Sequence, residues 1–150
     1  TKTTDELLEN LGDMNIPVSS HRRIENGIFR RHLFPSETSK YRRAICNKDF
    51  FPKFLIAAHI KKRAECTEAE MKDKNIVMPL CKLGCDYLFE VGFILIDGQG
   101  KVLANLNKKI TDNVTSTVQH YISGIERKLC SHFNETTSVY FQHRYDINSK

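Results

Sequence analysis

Three polar residues near the middle of the chain have side chains suited to proton transfer and cation binding. His59 ends an apolar run, Asn75 stands shortly before Pro79, and Asp86 lies in an amphipathic segment. A neutral histidine can accept a proton near physiological pH, because its reference pKa is about 6.5. Carboxylate oxygens suit Mg²⁺ or Mn²⁺. Taken singly, each residue also has an ordinary structural explanation, as a strand-end histidine, a turn asparagine or a helix-surface carboxylate.

The order of the residues around these three is more specific than any one of them. The chain from about Cys46 to Asp97 resembles an HNH endonuclease domain and is most similar to the restriction-type branch of DNA nucleases. The resemblance covers about a third of the chain. The matching residues are Ala58-His59-Ile60, Asn75, Pro79-Leu80-Cys81, the run from Asp86 to Ile94, and the turn from Asp97 to Lys101.

This resemblance implies a fold, a reaction and a set of roles. The fold would be α+β, with a ββα-metal (HNH) core, flanking helices and a β-hairpin. The reaction would be metal-dependent hydrolysis of DNA phosphodiester bonds. His59 would be the general base that activates water, Asn75 would orient His59, and Asp86 would bind the catalytic Mg²⁺ or Mn²⁺.

The chain departs from the family pattern at two positions. Ala58 stands where many HNH enzymes carry a metal ligand, and Asp86 replaces the usual histidine on the helix, which gives a His-Asn-Asp variant. Glu90 and Asp73 are candidates for a second metal ligand. The departures leave an alternative open, which is a catalytically weak or inactive HNH-like module that binds nucleic acid and is stabilised by zinc.

The five cysteines cannot all form internal disulfides, because their number is odd. Cys46, Cys66, Cys81 and Cys85 have two interpretations. All four could ligate a structural Zn²⁺, since tetrahedral zinc accepts four thiolates, or Cys46 and Cys81 could be small buried apolar residues. The zinc interpretation also allows a purely structural domain within a larger protein. Cys130 lies in an apolar context and is expected in the core.

The balance of charge is basic, with a formal net charge of +5, which permits a polyanionic partner. Lys61, Lys62 and Arg63 directly follow His59, where a phosphate would have to dock, and Arg30 and Arg31 extend the basic surface. The expected partner is DNA, in duplex form. Restriction-type nucleases often cut as dimers, so the resemblance also allows a homodimer.

The sequence contains no apolar run long enough to span a bilayer, so no membrane partner is expected. The first ten residues are polar and do not read as a secretory signal. Clustered cysteines without such a signal favour a reducing compartment. A cytoplasmic, intracellular location is therefore expected.

The elements that must position these residues follow from hydrophobic periodicity and turn residues. We predict an N-terminal helical segment over 1–40, the HNH core over 41–106 and a C-terminal helical extension over 107–150. The predicted elements are helices over 5–11 and 22–33, strands over 41–46 and 54–60, a helix over 80–91 that Pro79 begins, a hairpin over 93–106, a helix over 114–125 and an aromatic-rich segment over 139–144. Gly12 and Pro17 are expected to end the first helix, and Gly92 is expected to end the helix over 80–91 as a C-cap. The run Thr67-Glu68-Ala69-Glu70 resembles a helix start.

Overall fold

The protein has an α+β fold of short two-stranded sheets among helices. The computed structural model describes residues 1–11 and 18–150; Gly12 and Pro17, the expected helix stop, lie outside them. The helices are α1 (Thr4–Leu11), α2 (Val18–Leu33), α3 (Glu68–Met71), α4 (Cys85–Val91), α5 (Lys108–Thr111), α6 (Ser116–Ser123) and α7 (Ser138–Asn148). The strands are β1 (Tyr41–Arg42), β2 (Asp49–Phe50), β3 (Leu55–His59), β4 (Val77–Cys81), β5 (Ile94–Ile96) and β6 (Val102–Ala104).

The centre of the fold is the antiparallel pair β3–β4, followed directly by α4. Leu55 lies opposite Cys81 and His59 lies opposite Val77. All five residues of β4 are buried, and β3 is largely buried too. The pair therefore fixes His59 at one end of a buried ladder, with the start of α4 near the other end.

The prediction that Pro79 begins a helix is wrong. Pro79 lies in the middle of β4, opposite Ala57, and α4 begins only at Cys85. Proline has no N–H to give to a ladder, so it is tolerated where the backbone nitrogen points away from the partner strand. The carbonyl of Pro79 accepts a bond from the amide of Ala44, outside the β3–β4 ladder. Gly92 ends α4 with φ +96, as predicted for a C-cap glycine.

One other predicted element, the strand over 41–46, differs from the one observed. The predicted strand over 41–46 shortens to β1, which pairs with β2, and its remainder turns inward to bury Ala44, Ile45 and Cys46. The predicted hairpin over 93–106 is confirmed as β5–β6, with Ile94 opposite Ala104. The aromatic-rich C-terminal segment is helical and forms part of α7.

A single hydrophobic core joins the N-terminal, central and C-terminal parts of the chain. It includes Leu8 from α1, Phe29 from α2, Leu80 from β4 and Phe141 from α7. Because α2 packs onto the central pair and α7 packs onto β5, both helices can supply side chains to the end of β3 where His59 lies. Within residues 1–11 and 18–150, no helix combines the length and apolar character needed to cross a membrane.

Candidate functional site

A cavity of about 480 Å³ opens between β3 and α4. It combines an imidazole, two carboxylates and several cationic side chains. Its lining residues are Arg22, Ile56, Ala57, Ala58, His59, Lys62, Arg63, Ala64, Asp86 and Glu90. His59 and Asp86, which the sequence predicts to act together, thus line the same cavity, which we call the His59 cavity.

The ring of His59 is held between α2 and the cavity. It packs edge-on against Phe29, with ring centroids 5.6 Å apart. Its Nε2 atom is buried, has no hydrogen-bond partner among the described residues, and lies 3.8 Å from Oε1 of Glu25. The other ring nitrogen, Nδ1, is therefore the one left for a water in the cavity. Burial lowers the pKa of His59 below 6.5, and the nearby Arg63 and Arg144 add to this.

Glu25 is a site residue that the sequence analysis missed. Its carboxylate is 3% exposed and accepts two hydrogen bonds from Arg63, at 2.9 and 3.2 Å. It also lies 3.9 Å from Nδ1 of His21. One signal was available in the sequence, because Glu25 stands three and four residues before the buried Ile28 and Phe29, on the apolar face of α2.

The backbone of His59 is fixed by Arg144, a buried residue of α7. Its guanidinium donates to the carbonyl of His59 at 2.9 Å and to that of Ile60 at 2.8 Å. The same group lies 3.5 Å from Oε2 of Glu90 and packs over the ring of Phe89. Arg144 therefore ties the end of β3 to α4, and so positions His59 relative to the carboxylates of the helix.

Asn75 does not make the contact with His59 that the resemblance implies. It lies in a short 3₁₀ turn before β4, where its amide donates to Asp73. Its side chain forms no hydrogen bond with His59 among the described residues. The orienting role is instead shared by Glu25, at the ring, and Arg144, at the carbonyl. A catalytic contribution from Asn75 remains a prediction.

Asp86 and Glu90 present two carboxylates to the same cavity from successive turns of α4. Burial raises the pKa of Asp86, and the like charge of Glu90 raises it further. A divalent cation between them would relieve this repulsion, and carboxylate oxygens are the donors that Mg²⁺ prefers. The residues present therefore fit such an ion, with Glu90 as the second ligand.

The other candidate ligand, Asp73, is committed elsewhere. It accepts hydrogen bonds from the amide of Asn75 and, at 2.5 Å, from the hydroxyl of Tyr140. Within the described ranges, no group of three or more His, Cys, Asp and Glu side chains is arranged to hold a metal ion. Ions at the Asp86–Glu90 pair would thus rely on water or substrate oxygens for their other ligands.

The basic residues predicted to contact nucleic acid are engaged to different degrees. Lys61 is paired with Glu70 at 2.9 Å, and Arg63 is paired with Glu25. The guanidinium of Arg30 donates to the carbonyls of Leu55 and Pro52. Lys62 lines the cavity, has no ion-pair partner among the described residues, and is joined there by Arg22. Arg31 is exposed on α2.

Three of the four cysteines considered as zinc ligands converge beside α4. Interaction with Cys85 lowers the pKa of Cys46 and of Cys81, and the same interactions raise the pKa of Cys85. The hydroxyl of Tyr121 lies 3.3 Å from the sulfur of Cys85 and 3.8 Å from that of Cys81.

Cys66 is not part of this cluster. Its sulfur donates to the carbonyls of Lys61 and Lys62, just beyond the His59 end of β3. Cys81 pairs with Leu55 at the opposite end, roughly 13 Å away along the strand. The structure therefore does not bring the four-thiolate set together. Cys130 is buried, as expected for a core residue, although it lies outside the helices.

No known protein family has a model that matches this chain. A search of curated proteins likewise gives no match. The arguments for function therefore rest on the geometry of the His59 cavity and on the sequence pattern.

The cavity offers a base, a cation site and free positive charge within one volume. His59 is uncharged at neutral pH because its pKa is lowered, so Nδ1 can accept a proton. Asp86 and Glu90 can hold a divalent cation, and Lys62 and Arg22 can attract an anion. This set suits the hydrolysis of a negatively charged ester.

The lowered pKa of His59 gives a testable pH dependence. Because burial lowers the pKa of His59, the midpoint of its titration should lie below pH 6.5. Above that midpoint, the neutral ring should predominate. Glu25 raises this pKa, so Glu25→Gln should move the midpoint lower still. Proton NMR of the His59 ring would measure both values. A midpoint above 6.5, or an upward shift in the variant, would contradict this account of the site.

The same titration affects stability in a defined direction. The folded state holds His59 at a lowered pKa, so the neutral ring contributes to the free energy of unfolding above about pH 6.5. This contribution is lost as the pH falls and the ring is protonated. Urea unfolding between pH 5 and 8 provides the check, with His59→Gln as the control that should show a shallower acid slope.

Proposed function

We propose that this protein is a metal-dependent HNH-type endonuclease that hydrolyses phosphodiester bonds of DNA. The observation that carries the proposal is that His59 shares one cavity with Asp86 and Glu90. A neutral imidazole and a pair of carboxylates in one cavity provide the base and the cation ligands that phosphodiester hydrolysis requires.

The order of the elements supports the family assignment. The antiparallel pair β3–β4 is followed by α4, which is the strand–strand–helix order of a ββα-metal core. His59 stands at the end of the first strand, and Asp86 stands in the first turn of the helix. These are the positions at which the sequence resemblance places the base and the metal ligand.

The residues of this chain have distinct tasks in the proposed reaction. His59 accepts a proton from a water at Nδ1, while Glu25 faces Nε2 and favours the tautomer that carries the proton on that atom. Lys62 and Arg22 bind the phosphate that enters the cavity. When Mg²⁺ or Mn²⁺ is bound by Asp86 and Glu90, it stabilises negative charge on the phosphate and the leaving oxygen.

The resemblance adds details that go beyond this geometry. Duplex DNA is the proposed substrate, and the products would carry 5′-phosphate and 3′-hydroxyl ends. A homodimer and cleavage of both strands fit the restriction-type branch. Zinc has no place in the proposal, because Cys66 lies apart from Cys46, Cys81 and Cys85.

The test of metal involvement is the variant Asp86→Asn. A bound divalent ion contributes several kcal/mol of transition-state stabilisation, and the variant loses part of it with the ligand. The rate at which supercoiled plasmid is nicked at fixed Mg²⁺ should therefore fall on the order of 10²-fold. Added Mn²⁺ should restore part of the rate. Glu37→Gln, an exposed loop carboxylate, is the matched control and should cleave like the wild type. Equal rates for the two variants would contradict the metal role of Asp86.

A second candidate function is nucleic-acid binding without turnover. Ala58 favours it, because this buried alanine offers no ligand where many HNH enzymes have one. Strongly salt-dependent DNA binding with no cleavage in Mg²⁺, Mn²⁺ or other divalent ions would support this alternative against the enzyme.

A further inference from the structure

A second cavity, distinct from the His59 cavity, has a strongly cationic lining. It measures about 390 Å³. It lies near the end of the central strand pair that is opposite to His59. Cys81 pairs with Leu55 at that end, and Leu83, which lines the second cavity, follows shortly after Cys81. Its lining residues are Arg43, Cys46, Lys48, Phe50, Leu83, His120, Tyr121, Gly124, Ile125 and Lys128.

No carboxylate among the described residues lines this second cavity, and the thiol of Cys46, whose pKa is lowered to about 6 by Cys85, can offset at most one of its cations. Arg43, Lys48 and Lys128 contribute three cations, and none of the described residues that line it is Asp or Glu. The ammonium of Lys128 donates to the carbonyl of Cys46, which holds it at the rim. Three cations without a carboxylate around one volume favour an anionic ligand.

Arg43 provides a second, independent sign of an anion-binding site. Its side chain is 4% exposed and packs over Phe50, 4.0 Å from the ring centroid. Its Nε atom is buried and has no hydrogen-bond partner within the described part of the chain. Buried polar groups are nearly always hydrogen-bonded, and a buried charge without a partner is costly.

We propose that this second cavity binds a phosphate group. The planar guanidinium of Arg43 suits phosphate oxygens, and Lys48 and Lys128 supply further donors at the rim. One source of the phosphate is the backbone of a nucleic acid whose neighbouring part occupies the His59 cavity; this source rests on the proposed function. The other source is a free phosphate or a small phosphorylated ligand.

The test uses a double variant that leaves buried Arg43 in place. Lys48→Gln with Lys128→Gln removes two rim charges, and Lys101→Gln with Lys150→Gln is the control, with the same change in net charge at exposed positions. The probes are inorganic phosphate, pyrophosphate and a fluorescent 20-base-pair duplex, each without divalent metal. We expect the cavity variant to bind the duplex about tenfold more weakly than the wild type, with a salt slope lower by about two. The control should bind the duplex several-fold more tightly than the cavity variant does.

The arms of this experiment separate the two sources. Loss of both duplex and phosphate binding in the cavity variant supports the nucleic-acid backbone. Loss of phosphate or pyrophosphate binding alone supports a free phosphorylated ligand. Equal binding of all three probes by the cavity variant and the control overturns the inference.

The outcome is also separable from the proposed nuclease activity. If His59-dependent cleavage is observed while the cavity variant matches its control, the phosphate site is wrong and the proposed function stands. If the cavity variant loses binding while no divalent ion supports cleavage by the wild type, the phosphate site stands and the nuclease proposal fails.

Discussion

Replacing His59 with alanine should lower the rate of plasmid cleavage by about 10²- to 10⁴-fold, which is the usual contribution of a positioned general base. His59 is the one imidazole among the described residues that line the His59 cavity, so no second imidazole there can replace it as the base. The variant should remain folded, because Nε2 of His59 forms no hydrogen bond that the substitution would break. Cleavage rates and circular dichroism of the two proteins provide the comparison.

His143→Ala is the matched control for this result. His143 lies on α7, outside the His59 cavity, and contacts Glu65 on the surface. The control should cleave within about twofold of the wild type, since surface substitutions change stability little. If His143→Ala and His59→Ala lost activity equally, the loss would reflect general damage to the protein, and His59 would have no catalytic role.

Replacing Arg144 with methionine should produce the largest loss of stability, a fall of about 3 kcal/mol in the free energy of unfolding. The substitution keeps most of the apolar stem but leaves the carbonyls of His59 and Ile60 without their donor. A buried acceptor that loses its partner costs about 1–3 kcal/mol. Arg144 is 3% exposed, so water cannot readily replace the guanidinium.

Urea unfolding of Arg144→Met beside Arg23→Met measures this effect. Arg23 is exposed on α2, so its substitution should change the free energy of unfolding by no more than about 0.5 kcal/mol. A similarly small change in Arg144→Met would contradict the role given to Arg144 in fixing the end of β3.

The local part of the fold could be predicted from the sequence where one pattern dominated. The β5–β6 hairpin follows from a glycine turn between apolar runs, and Gly92 ends α4 as a C-cap. Thr67 and Glu70 form the capping box that begins α3. The start of α4 could not be predicted in this way, because Pro79 is as typical of a first helical turn as of an edge strand with its nitrogen turned outward.

The pairing of distant groups was the part of the site that the sequence could not supply. His59 and Asp86 could be proposed from their order along the chain. Glu25 lies 34 positions before His59, and Arg144 lies 85 positions after it. Tertiary packing, of α2 against the central strands and of α7 against β5, brings these two residues to the histidine.

The run of basic residues in the sequence did not predict which cations are left unpaired in the fold. Lys61, Lys62 and Arg63 are consecutive cations, but the folded chain pairs two of them with Glu70 and Glu25. Lys62 alone of the three is left for a phosphate. Arg43 shows the reverse case, because nothing in its sequence context distinguishes it, whereas its burial without a partner does.

The central claim is that this chain cleaves DNA at the His59 cavity. The most direct measurement is the initial rate of plasmid nicking in Mg²⁺ or Mn²⁺, with and without EDTA. Purified wild-type protein is compared in this assay with His59→Ala. We predict nicking that requires the divalent ion and falls at least a hundredfold in the variant. Nicking at equal rates by both proteins, or no nicking by the wild type with either ion, would contradict the claim.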